Sequence, residues 1–382
     1  MTIVYCLLEM NTPGGIGRVA SLKANYLANM GWDVYIITTD QDGQPPYYYL
    51  DSKIKFIDLG LNIQKNLVNS SHWNWYFKRK KIFQQHFVKL SSLLNEIKAD
   101  FVVSTFSSEV NFLYRINDGS KKILECHFNH DYQYIMAKAF RYSKIKSFLI
   151  KAKTIRNEKL VRKYDAFVTL TQEDAQLWPT HSNLYVMPNM TSFQSSSFNF
   201  SREKKILAVG HFNAQKSFDK LIKIWNQIYE RYPEWSLHIY GKGEDEQNYK
   251  KLIHDLGIDH RTFLHKPTDK IEEEYTSSSI LCMTSTYEGL PMVLVEAMSC
   301  GLPCIAYTCK CGPKDVIIDS KTGFLIAEDD EKKFVNKLSL LIENPDLRNQ
   351  MVEASYIEAK KYSQENIMKK WLHLFNTLKN NV

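Results

Sequence analysis

The chain has 382 residues, long for one α/β core and comfortable for two domains. Its 44% hydrophobic and 24% charged residues mark a folded, soluble chain, and no run of 18 apolar residues occurs to cross a membrane. The net charge of +7 is uneven: residues 1–200 hold 24 Lys and Arg against 16 Asp and Glu, whereas the remainder holds 25 against 26.

The first ten residues, MTIVYCLLEM, are apolar but lack Lys and Arg, so they read as a buried strand at Ile3–Leu8 and not as a signal peptide. A Gly-rich turn and an amphipathic helix near Gly17–Met30 follow. Short apolar or β-branched runs recur at Val34–Thr39, Ile54–Leu59, Phe101–Ser104, Lys122–Cys126 and Ala166–Leu170, with helical patterns between several of them. Residues 188–201 are rich in Ser and Asn without an apolar period, which places an interdomain linker at 189–203. A second series runs through Lys205–Gly210, Leu237–Gly241, Phe263–His265, Ile280–Thr284, Pro303–Tyr307 and Gly323–Ile326. The tail, 330–382, is mostly helical, and its last helix carries Trp371, Leu372 and Phe375 on one side.

Buried runs alternating with helices predict parallel sheets covered on both faces. The expected architecture is therefore α/β, with two doubly wound units in tandem. One domain covers 1–188 and another 204–362, and a helix over 363–382 is expected to pack back toward the first. In such sheets ligands bind at the carboxyl ends of the strands, and two facing units would hold a ligand in the cleft between them.

Seven cysteines occur without a C-x-x-C pair, and Cys282, Cys300, Cys304, Cys309 and Cys311 lie close together. They read as reduced, half-buried thiols of a cytoplasmic protein. A metal site at Cys309 and Cys311 would lack a second ligand pair at a familiar spacing.

Four segments carry chemistry. Ser285–Gly301, STYEGLPMVLVEAMSCG, follows an apolar strand and leads into a helix with Pro291 expected at its first position. The unpaired N–H groups of that helix start suit a phosphate or sugar hydroxyls, and Gly289 allows close approach. Glu296, within the first two turns, can accept hydrogen bonds from vicinal hydroxyls, as on a ribose. The competing reading is an ordinary strand–helix junction with Glu296 solvated. In Ile206–Asp219, ILAVGHFNAQKSFD, Lys216 sits at a loop-to-helix step where an ammonium could meet a diphosphate, although taken alone it reads better as a surface lysine. Pro13–Gly17, PGGIG, makes a tight turn after the first strand but is no dinucleotide fingerprint. His127 follows the strand Lys122–Cys126, where a polar side chain can face a ligand or serve structure alone.

Together these segments resemble the family 4 glycosyltransferases of the GT-B fold, through nearly the whole chain. Glu288 and Glu296 match the family's E-x7-E motif, within EGLPMVLVEAMSCGLPCIAY. VGHFNAQKSFDKLIKIW resembles its donor-phosphate loop, and IYGKGEDEQNYKKLI, CGPKDVI and TGFLI resemble neighbouring segments. PGGIGRVASLKANYLANMGWDVYIITT resembles the N-terminal unit, and the likeness extends to bacterial enzymes that assemble capsule, O-antigen or other lipid-linked glycans.

The resemblance implies roles. Glu296 would bind the ribose hydroxyls. Glu288 and the backbone at Gly289, Leu290, Pro291, Met292 and Val293 would hold the donor sugar and diphosphate. Lys216 would neutralise diphosphate charge. Gly241 would sit near the nucleotide, with the base held by backbone around His265 and Lys266. Gly15 would approach the reacting centre from the other domain, and His127 would contact the donor sugar. His127, Lys216 and Glu288 would thus serve catalysis. The loop departs from the usual GR…KG, reading Gly210-His211 and Lys216-Ser217, so His211 stands in for an arginine as a donor contact. The implied reaction is transfer with retention from a nucleotide sugar, by preference a UDP-sugar, to a glycan or lipid-linked acceptor, with no metal and no other cofactor. Asp329 and Asp330 read as helix-start residues. A sugar-nucleotide epimerase of the same fold and a non-catalytic nucleotide-sugar binding protein remain the alternatives, while the poor Gly fingerprint argues against a nicotinamide oxidoreductase.

Residues 138–163 hold ten basic residues and one acid, Glu158, and Ile145, Phe148, Leu149, Ala152 and Ile155 recur at helical spacing. Residues 72–90 also mix aromatic and basic side chains. Both are expected to rest peripherally on an anionic membrane surface beside a lipid-linked acceptor. The alternative is a helix packed on its own core with a solvated basic face. No nucleic-acid module is visible.

Overall fold

The computed structural model describes residues 1–68, 72–139, 143–179, 181–193 and 200–380. It contains two compact units. One comprises residues up to Leu170, Ala175–Met187 and the C-terminal helix from Ile367 onward; the other comprises Thr171–Asp174 and Pro188–Asn366. The expected linker includes residues 194–199, which lie outside the described residues, as do residues 140–142 of the basic segment.

The first unit holds seven strands: β1 (Thr2–Cys6), β2 (Asp33–Thr38), β3 (Lys55–Asp58), β4 (Phe101–Ser104), β5 (Lys121–Glu125), β6 (Ala166–Thr169) and β7 (Leu184–Val186). They form one sheet in the order β3-β2-β1-β4-β5-β6-β7, and every pairing is parallel. Both faces of such a sheet are covered, which explains why β4 and β6 are buried at every position. The edge strands β3 and β7 are half-exposed. The helix Gly15–Asn29 follows β1 and ends in a Schellman motif: Gly31 N–H donates to Ala28 O and Trp32 N–H to Leu27 O, with Gly31 at φ +80°.

The second unit holds β8 (Lys205–Val209), β9 (Ser236–Tyr240), β10 (Thr262–His265), β11 (Ile280–Met283), β12 (Cys304–Tyr307) and β13 (Gly323–Ile326). Their order is β10-β9-β8-β11-β12-β13, again parallel throughout. Its core packs Trp225, Leu221 and Phe218 of the helix Phe218–Asn226 against Ile206, Ile239 and Ile305 of the sheet. In each unit the strand order reverses beside the first strand, between β1 and β4 and between β8 and β11. Loops leaving the carboxyl ends at such a reversal diverge and leave room for a ligand.

Candidate functional site

In the second unit the sequence-selected residues gather at the carboxyl ends of β10, β9, β8 and β11. Gly241 directly follows β9, and its N–H donates to His265 O at the end of β10. A Cβ on Gly241 would lie 2.0 Å from Gly210 O and 2.7 Å from Phe212 Cε1, so the packing of these loops itself demands glycine. Gly210 directly follows β8, and the aliphatic stem of Lys216 crosses it: a Cβ there would meet three Lys216 carbons at 3.1 Å. Lys216 Nζ then reaches Glu288 Oε1 at 2.6 Å, with side-chain exposures of 16% and 8%. The surface-lysine reading of Lys216 therefore gives way to a largely buried ion pair. Its short distance is that of a charge-assisted hydrogen bond.

Backbone bonds hold the two loops together. Thr286 N–H donates to Gln215 O at 2.8 Å, and Gln215 Nε2 donates to Tyr287 O at 3.0 Å. The Thr284 hydroxyl donates to the carbonyls of Lys216 and Ser217. Ser217 adopts φ +48°, ψ +48°, the left-handed conformation that glycine takes most readily. The usual glycine at this position of the resembling motif thus has a backbone cause, and here the Ser217 hydroxyl adds a bond to Ala214 O at 2.8 Å.

The following helix runs Met292–Ser299. Pro291 is its N-cap and not its first helical residue, because its ψ of 89° lies outside the helix while its carbonyl accepts from the Leu294 and Val295 N–H groups. The first-turn N–H groups at Met292 and Val293 lack intrahelical acceptors, and both residues are part-exposed after a buried Leu290. Beneath Gly289 and Pro291 passes Gly312, at φ +99°, where a Cβ would lie 2.4 Å from Pro291 Cδ. Glu296 is 8% exposed, not solvated, and Tyr275 donates its hydroxyl to Glu296 Oε2 at 3.1 Å. Burial, then the Glu296 carboxylate, pushes the Tyr275 phenol well above its ordinary range, so it stays a donor.

His211 is exposed just past β8, and Lys266 is exposed past β10. The His265 carbonyl is taken by Gly241, and its ring stacks on Tyr240 at 4.4 Å with Nε2 2.9 Å from His238 Nδ1. The seven cysteines form no disulfide and are buried. Among the described residues no three His, Cys, Asp or Glu side chains are placed to hold a metal ion, at Cys309 and Cys311 or elsewhere. Asp330 caps the helix Glu331–Glu343 through Lys333 N–H at 3.0 Å.

In the first unit, Gly15 opens the helix after β1, and a Cβ on Gly14 or Gly15 would meet no atom within 4 Å. His127 follows β5 with its side chain 6% exposed, and Nε2 lies 3.4 Å from Glu125 Oε1. That oxygen is also bound by Lys23, whose ammonium sits 4.4 Å above the Trp371 ring. Burial raises the Glu125 pKa, but Lys23 and then His127 outweigh it and hold the carboxyl at about 2. The motif reading missed Tyr275, Glu125 and Lys23. The available signal was a charged residue on an otherwise apolar face: Glu125 in KKILEC, Lys23 beside Val19, Ala20 and Leu27.

The family model for glycosyl transferases group 1 matches residues 190–358, the span holding this arrangement. Over 375 residues the chain is 30% identical to an uncharacterized glycosyltransferase of Haemophilus influenzae, covering 97% of this chain and 98% of that one. The chain belongs to the group 1 glycosyltransferases. This glycosyltransferase is also 28% identical to the amylovoran biosynthesis glycosyltransferase AmsD of Erwinia amylovora, over 96% of this chain and 97% of that one. In fold it is similar to a TarM mutant of S. aureus solved with fondaparinux, α-GlcNAc-glycerol and UDP, at a TM-score of 0.78 and 17% identity, covering 98% of this chain and 99% of that one. The two parallel-sheet units are those of the GT-B fold.

Proposed function

We propose that this glycosyltransferase moves a hexose or N-acetylhexosamine, with retention, from a UDP-sugar to a glycan or lipid-linked acceptor in cell-surface polysaccharide synthesis. The observation that carries this reading is the Lys216–Glu288 pair beside the first turn of the helix Met292–Ser299. The UDP in the TarM complex and the amylovoran role in AmsD's name support the donor and the setting.

A diphosphate carries about twice the charge of a carboxylate, so at equal distance it attracts an ammonium about twice as strongly. Lys216 therefore moves from Glu288 to the diphosphate when donor binds, which frees Glu288 to accept sugar hydroxyls. The first-turn amides add a positive dipole where charge grows on the leaving phosphate. Lys216 and these amides supply the charge stabilisation that a metal ion would otherwise give. Glu296, held by Tyr275, receives the ribose hydroxyls. His127, oriented by Glu125, contacts the donor sugar, and Gly15 leaves room for the reacting centre. His211, Gly241, His265 and Lys266 line the nucleotide side.

No helix among the described residues is long and apolar enough to cross a membrane. Ile145, Phe148 and Leu149 of the basic helix Lys144–Val161 are 76%, 71% and 60% exposed, so its apolar stripe is not core. This exposure favours peripheral contact with an anionic lipid surface over the packed-helix alternative.

The test incubates UDP-glucose, UDP-galactose and UDP-N-acetylglucosamine with the protein and a lipid-linked glycan extract, followed by NMR of the product's anomeric proton. An α-linked sugar is expected from an α-donor. A β-linked product, or a new nucleotide-sugar epimer without acceptor, overturns it.

A further inference from the structure

Away from the residues above, the first unit carries a cavity of about 720 Å³ between the loop after β3 and the helix His72–Ile97. Its walls include Leu61, Asn66, Lys78, Lys81, Gln85 and Lys89, and no Asp or Glu lines it. Lys89 is anchored, its ammonium donating to Leu59 O at 2.8 Å. Lys78 and Lys81 form no ion pair among the described residues. Three ammonium groups around one hollow repel each other until an anion enters, and Gln85 offers an amide donor beside them, whereas the Asn66 amide donates to Leu61 O at 2.9 Å.

The rim shows what else the ligand carries. Phe77, Lys81, Gln84 and Val88 follow at the spacing that places them on one strip of the helix. Phe77 is 73% exposed and Val88 59% exposed. Two exposed apolar side chains, Phe77 and Val88, beside an acid-free basic hollow suit an amphiphile with a phosphate head and a hydrocarbon tail. Behind it the charge stays positive: Arg79 stacks between Trp75 and Phe83, and Lys153 of the neighbouring helix is pushed down by burial and then by Arg156 and Arg79.

We propose that this hollow binds the phosphate head of a lipid-borne acceptor, with Lys78, Lys81 and Lys89 on the phosphate oxygens and the tail along Phe77 and Val88. That the lipid is the acceptor rests on the transfer reaction proposed above; the binding of a lipid phosphate does not.

Calorimetry of the full-length protein with farnesyl diphosphate, inorganic pyrophosphate and farnesol tests it, in wild type, in Lys78→Gln/Lys81→Gln and in Phe77→Ser. Farnesyl diphosphate is expected to bind about ten-fold tighter than pyrophosphate, and the double variant to weaken it about ten-fold. Phe77→Ser is expected to weaken farnesyl diphosphate alone, and UDP affinity to stay unchanged in every variant, which shows the fold intact. Equal affinity in wild type and double variant overturns the site. Pyrophosphate binding as tightly as farnesyl diphosphate makes it a free-phosphate site and overturns the lipid assignment. Failure of the wild type to bind UDP counts against the donor reading and leaves the lipid result standing.

Discussion

Lys216 Nζ and Glu288 Oε1 lie 2.6 Å apart although 72 residues separate them in the chain. The contact exists because Gly210 has no side chain to keep the lysine stem away and because Gln215, Thr284 and Thr286 tie the two loops together. Replacing either partner therefore has a specific consequence. Lys216→Ala is expected to lower kcat/KM by about 10²–10³. Glu288→Gln releases Lys216, so UDP should bind as tightly as in wild type or tighter while turnover falls. Calorimetry with UDP beside steady-state rates checks both, and weaker UDP binding by Glu288→Gln would show that the pair does not compete with the donor.

Tyr275 and Glu296 make the second pair. Tyr275→Phe removes the hydroxyl that orients the Glu296 carboxylate at 3.1 Å and leaves a buried acceptor one donor short. The expected result is UDP affinity weakened by about ten-fold, with less effect on UDP-independent ligands. A variant with unchanged UDP affinity would remove Tyr275 from the ribose site.

The glycines separate into two kinds. Gly241, Gly243 and Gly312 leave a Cβ no room, whereas Gly15 faces open space at ordinary φ. Gly15→Ala should leave thermal stability unchanged and lower turnover about ten-fold or more, because only a ligand needs the space. Unchanged turnover would assign Gly15 to the turn alone.

Much of this was legible in the sequence because parallel strands are buried on both faces and so appear as short apolar runs. β7 was not, since its three residues are all half-exposed on an edge and give no period. Pro291 was placed one residue too far into its helix, because a proline suits both the cap and the first turn. Glu125 and Lys23 were passed over for a different reason. They are buried charges paired with each other, and neither residue alone carries a motif. The Ser217 conformation likewise shows only in the backbone.

Glu109 gives a pH signature. It is 1% exposed, and burial raises its pKa to about 7 although Ser104 donates to Oε1 at 2.6 Å. Between its ordinary value of 4.5 and about 7 the folded chain binds more protons than the unfolded chain, so stability falls as pH rises through that window. Glu109→Gln removes this loss. It should be more stable than wild type by roughly 3 kcal/mol at about pH 8 and similar at about pH 4, read by urea unfolding. Equal stabilities at the higher pH would contradict the assignment.

The most direct test of the donor site is thermal unfolding with UDP, GDP and ADP, in wild type and in Glu296→Ala. A ligand at about 100 times its Kd adds roughly 2.7 kcal/mol, a shift of a few degrees. A shift is expected with UDP alone, and it should disappear in Glu296→Ala. A shift with GDP or ADP instead, or a UDP shift that survives in the variant, would contradict it.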